Sequence, residues 1–137
     1  MSMFRGMWAG LLAAALPLAC AAPEAPDPAR EAARLAGIEV LGVQLLGDGA
    51  LARLRYRVID VERARGAMRG EARLLPEGAA GAVGVTAGGR LGPLRQRPSA
   101  GGREQFILFT NARGVLKRGE RAVFEVGELR VPGIPIT

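Results

Sequence analysis

Between Leu51 and Asp60 the chain reads LARLRYRVID, and from Ala52 to Val58 its polarity reverses at every residue. Ala52, Leu54, Tyr56 and Val58 alternate with Arg53, Arg55 and Arg57. Only an extended strand converts a period of two into two separate faces. The segment is therefore expected to lie in a sheet with one side buried and the other in water. The stretch before it, Ile38 to Leu46, is apolar and rich in branched residues, and Gly47-Asp48-Gly49 divides the two. An Asp-Gly pair between strand patterns signals a hairpin, so these two runs should pair antiparallel.

The same signals continue downstream. Asp60 is placed to cap a short helix over Val61 to Arg69, with Val61, Ala64 and Met68 on one face and Gly66 and Gly70 limiting its length. Glu71 to Leu75 reads as a strand ended by Pro76, and Ala82 to Thr86 as a short strand in a glycine-rich stretch. Gln105 to Thr110 and Arg121 to Val126 are clearer strands, the second with Ala122, Phe124 and Val126 on one face. Leu129 to Val131 follows, and Pro132 and Pro135 suit the tail only to a sheet edge. Six to seven short strands, glycine turns and one short helix predict a small all-β domain, an antiparallel immunoglobulin-like sandwich, over residues 37–137.

The N-terminal segment has a different logic. Arg5 is followed by no charge until Glu24; Met7 to Leu16 is the apolar centre, Pro17 breaks it, and small residues follow. That layout is expected of a secretory signal peptide over residues 1–21. A membrane-spanning helix would need about 20 predominantly apolar residues, more than this core offers. Cys20, the only cysteine, falls at the end of the segment. Leu18-Ala19-Cys20 resembles the bacterial lipoprotein box, with Pro17 where a leucine is usual, and makes Cys20 the lipidation site. Ala19-Cys20-Ala21 also has the small-x-small form of an ordinary cleavage site, which would discard the cysteine. Residues 22–36, rich in proline and alanine, are expected to form an extended tether.

The runs GIEVLGVQLL, RLRYRVIDVERA, LGPLRQ and ILFTNARGVLKRGERAVFEVGELRV span most of the strand-forming part. In them the chain resembles a group of small exported bacterial proteins. That resemblance implies an exported domain and carries over no functional residue.

The residue list excludes several chemistries. With no histidine there is no Ser-His-Asp triad, no Cys-His pair and no histidine-ligated metal, and one cysteine cannot build a thiolate zinc site. Ser99 has no general base beside it in sequence, and no phosphate loop, dinucleotide fingerprint or calcium loop occurs. Asp48, Asp60, Glu120, Glu125 and Glu128 remain as carboxylates for an alternative, a hydrolase or carbohydrate-active protein. The expectation is a non-enzyme with no catalytic residue, no metal and no cofactor.

One feature is sharper. Arg53, Arg55 and Arg57 share a strand face at about 6.8 Å intervals, and Arg90, Arg95, Arg97 and Arg103 follow in a later loop. If that loop folds over the same face, Arg53, Arg55, Arg57, Arg95 and Arg97 form an anion-binding surface. The net charge of +6 is compatible with it, although arginine excess also follows from coding bias. Glu39, Glu71 and Glu125 partly match that charge. Export argues against nucleic acid. The expected partners are an envelope protein or an anionic lipid or polymer surface. The expected place is the periplasm, or a periplasm-facing membrane through the lipid anchor.

Overall fold

The computed structural model describes residues 27–86 and 93–137. The signal segment 1–21, Cys20 and Arg90 lie outside the described residues. Strands β1 (Ile38–Leu46) and β2 (Leu51–Val58) form the hairpin expected from the alternation, with Ile38 opposite Val58 and Leu46 opposite Leu51. Gly47, Asp48 and Gly49 all adopt positive φ, which glycine and aspartate tolerate best. Strand β5 (Glu104–Thr110) pairs with the other edge of β2, giving the order β1-β2-β5.

The second sheet has the order β4-β3-β6-β7, from β3 (Ala72–Pro76), β4 (Val83–Gly84), β6 (Arg121–Val126) and β7 (Leu129–Pro135). Every pairing between these strands is antiparallel. Strands one, two and five facing strands four, three, six and seven is the immunoglobulin-type Greek-key arrangement. The core lies between the sheets: Leu54, Tyr56, Ile107 and Phe109 from one meet Leu74, Phe124 and Val126 from the other, all buried. No disulfide joins the layers. Phe109 and Phe124 meet edge to face instead, with ring centres 6.4 Å apart, a geometry that adds about 0.5–1.5 kcal/mol to the burial itself.

Irregularities set which side chains face inward. A bulge between Val40 and Gly42 shifts β1 by one residue, so Ile38 before it and Val43 and Leu45 after it all reach the core. Pro132 does not end β7. The strand runs on to Pro135 because its pairing with β6 slips around Pro132 and Gly133, and an edge strand tolerates a missing N–H there. Beyond it Ile136 bridges in parallel to Val43, with Thr137 N donating to Val43 O and Leu45 N to Thr137 O, both at 2.9 Å, which joins the two sheets along one side. At the β1–β2 hairpin end, buried Asn111 donates to Gly49 O and Leu116 O and accepts from Leu116 N.

Two helices flank the sandwich, where one was expected. Helix α2 (Val61–Ala67) is the expected one, capped by Asp60, whose carboxylate accepts from Glu62 N and Arg63 N at 3.1 Å. Helix α1 (Pro28–Leu35) replaces most of the expected tether. Asp27 accepts from Ala29 N at its start, Pro28 sits in the first turn where no N–H is required, and Ala29 and Ala33 are buried. Helix α1 packs against β7 and β1, so residues 28–35 belong to the folded unit, which was expected only from residue 37.

Candidate functional site: two arginine surfaces

The alternation in β2 places Arg53, Arg55 and Arg57 on the outer face of the three-stranded sheet, and the neighbouring strands supply partners for each. Arg53 donates to Gln44, directly opposite on β1, while its Nε is buried without a hydrogen-bond partner among the described residues. Arg55 is ion-paired with Glu104 of β5. Arg57 lies 3.7 Å from Glu39, its register partner on β1. The hydrogen bond to Arg55 holds the Glu104 carboxyl below the usual carboxylate range, and Glu104 raises the Arg55 guanidinium in turn. The stripe is thus half of a cross-strand ladder whose charge is largely matched.

Arg95 and Arg97 do not join it. Arg95 bridges to Ile107, whose side chain points into the core, so Arg95 projects from the opposite side of the sheet to the stripe. Its guanidinium donates to Met68 O at 2.5 Å and Gly70 O at 2.8 Å, just past the end of α2. A helix C-terminus leaves carbonyls unpaired and carries partial negative charge, and an arginine there answers both. The expected single surface is therefore two separate ones, because strand parity and the reach to α2 together send Arg95 the other way.

Arg95 belongs to an open cleft of about 760 Å³ lined by Arg65, Met68, Arg69, Pro93, Arg95, Arg97 and Pro98. Helix α2 supplies Arg65, and Arg69 follows two residues past its end at Ala67. The segment after residue 92 supplies the rest. Arg65 Nε donates to Pro98 O at 3.3 Å, and its Nη1 lies 3.4 Å from Glu62. Arg69 and Arg97 are exposed and make no ion pair among the described residues. Among the described residues no carboxylate lines the cleft. Sequence reasoning missed Arg65 and Arg69 by following the apolar face of α2; their spacing on the polar face was the available signal.

Between the cleft and the core lies Tyr56, the only tyrosine. Its hydroxyl donates to Gln96 O at 2.9 Å, and burial pushes its pKa up to about 12, with Arg95 pulling the other way.

The carboxylates named from sequence are dispersed. Asp48 lies in the hairpin turn and Asp60 caps α2 at the other end of β2. Glu125 is clasped by Arg73, at 2.9 Å, and by Arg130. Glu120 and Glu128 are exposed. Among the described residues no three acidic or cysteine side chains gather as they would around a metal, and no helix is long and apolar enough to cross a membrane. The chain matches no protein-family model, no curated protein and no solved structure, so the reading of its function rests on its own residues.

Proposed function

We propose that this chain is exported, is held to a membrane by lipid on Cys20, and acts as a non-catalytic binding module of the bacterial cell envelope for anionic partners. The observation that carries the reading is the cleft at the end of α2, which Arg65, Arg69, Arg95 and Arg97 line and where no carboxylate is found among the described residues. Guanidinium groups are planar forks of donors suited to phosphate and carboxylate oxygens. Arg95 and Arg65 use part of their donors to fasten residues 95–98 to α2. Arg69 and Arg97 present theirs to water. The outer stripe is secondary, because Glu39 and Glu104 already meet two of its three charges.

Two variants of equal charge test the position of the anion surface. Replacing Arg65, Arg69 and Arg97 with glutamine removes three charges from the cleft; replacing Arg53, Arg55 and Arg57 removes three from the ladder. On phosphocellulose, elution of the cleft variant is expected at clearly lower salt than elution of the ladder variant. Equal elution would show that only net charge matters and would remove the cleft from the proposal. Export and anchoring are tested by the intact mass of the mature chain from membrane and soluble fractions. A chain starting at acylated Cys20 is expected; an unacylated chain starting at Ala22 removes the anchor.

A further inference from the structure

Among the described residues, two large apolar side chains stand out in solvent, Leu35 at 68% and Ile59 at 59% exposure. They come from separate elements, and a single backbone bond at Gly37 links the two stretches that carry them. Ile59 N donates to Gly37 O at 2.8 Å, and Gly37 lies two residues beyond Leu35. Gly37 has φ +79°, and a Cβ there would sit 2.5 Å from Asp60 O and 2.9 Å from Arg63 Cβ. Helix α1, the start of β1, the end of β2 and the start of α2 are therefore drawn together tightly at this point. The fold thus brings Leu35 and Ile59 to the same part of the surface, one on each side of the Gly37 junction.

This apolar pair stands at the same end of the sandwich as the arginine cleft. Ile59 directly precedes the cap of α2, and the cleft opens at the far end of that helix, about 10 Å away for seven residues. Arg34 lies in the last turn of α1, Arg63 and Arg65 lie on α2, and Arg69 follows just past its end. The acids in this strip, Asp60 and Glu62, lie 3.5 Å from Arg63 and 3.4 Å from Arg65. Arg34, Arg69 and Arg97 make no ion pair among the described residues. One end of the molecule thus carries two exposed apolar side chains and a surplus of guanidinium groups.

We propose that this end docks on an anionic phospholipid bilayer, with Leu35 and Ile59 entering the headgroup boundary and the α2 arginines lying against lipid phosphates. The inference rests on the anion-binding reading above and names the partner. A small anion would engage the cleft and leave the apolar pair in water. A bilayer is broad enough to meet both, and it offers phosphate at the surface with hydrocarbon just beneath, the chemistry that interfacial apolar and basic side chains match. Length also permits it. Seven residues separate Cys20 from Asp27, a span of at most about 25 Å, so a lipid on Cys20 would keep this end within reach of the membrane.

The test uses the full chain and reads position, so that attachment through the N-terminal segment does not confuse it. Trp8 is the only tryptophan. In a Trp8→Phe background, Leu35→Trp and Ile59→Trp each report local burial. Ala112→Trp, exposed beyond β5 at the opposite end, is the control. Vesicles are of phosphatidylcholine alone or with phosphatidylglycerol, with brominated acyl chains as quencher. The expected result is quenching of the Leu35→Trp and Ile59→Trp probes on anionic vesicles only, with the Ala112→Trp probe unaffected. Adding Arg65→Gln, Arg69→Gln and Arg97→Gln should weaken that lipid-dependent quenching, by about five-fold in lipid concentration for each arginine. No quenching, with phosphocellulose retention still dependent on the cleft arginines, overturns membrane docking and leaves a soluble anionic partner. Loss of both overturns the anion-binding reading as well. Equal quenching of all three probes overturns the orientation.

Discussion

Tyr56 shows how one residue ties the core to the surface that surrounds the arginine cleft. It occupies the inward parity of β2, yet its hydroxyl must be satisfied, and Gln96 O provides the acceptor from the segment that also carries Arg95 and Arg97. A buried phenolate would lose that bond's donor and much of its hydration. The folded pKa is accordingly raised from 10.0 to about 12. For a group raised on folding, the stabilisation is complete below the unfolded value and drains away as pH climbs through the folded one. Stability should therefore fall between pH 10 and 12, where the unfolded chain releases the proton first. Since the chain has one tyrosine, tyrosinate absorbance follows it without deconvolution. A midpoint near 12 is expected, and one near 10 would mean that the ring is not held as described. Tyr56→Phe should lessen the alkaline dependence of the urea midpoint.

At the scale of elements, α1 does more than its length suggests. It packs against β7 and β1, each at the edge of its sheet where a foreign strand could pair, and the residues it buries there are Ala29 and Ala33. Ala33→Glu would put a charge into that contact, which is 2% exposed. The expected outcome is a loss of about 1–3 kcal/mol in urea unfolding and concentration-dependent association visible by light scattering. An unchanged midpoint would show that α1 is dispensable. The same helix explains what was hard to read in the sequence. Two alanines make too weak an apolar stripe to register as periodicity, and the nearby prolines suggested an extended tether, although Asp27 followed by Pro28 is a sound helix start. The alternating strands β2 and β6 and the apolar run of β1 were legible almost to the residue. The continuation of β7 past Pro132 was not, because it depends on a slip in pairing with β6. The arginine stripe was visible in β2, but Gln44, Glu39 and Glu104 become its partners only through register. Arg95 could be assigned to α2 only once residues 94–96 were seen along the edge of β5.

For the molecule as a whole, the two ends of the sandwich differ in character. The hairpin end is locked by polar bonds, with Asn111 linking the β1–β2 turn to Leu116. The α2 end collects Leu35, Ile59 and the cleft arginines. Net charge alone would not predict this division, since five of the seven ion pairs among the described residues lie off α2 and match arginine elsewhere. The division comes from topology, which gathers the β2–β3 connection and residues 93–98 at one pole.

The parallel bridge between Val43 and Ile136 has a mechanical consequence. A domain held at its N-terminus and engaged elsewhere would be pulled along its length, with tension entering at α1 and passing into β1. Adjacent strands running in the same direction slide under such a load rather than peel. The two bonds between Thr137 and β1 would share the force together, not one after the other. The last residues of the chain would then act as a clasp, and trimming Ile136 and Thr137 should lower the force at which the sandwich opens more than it lowers stability at rest.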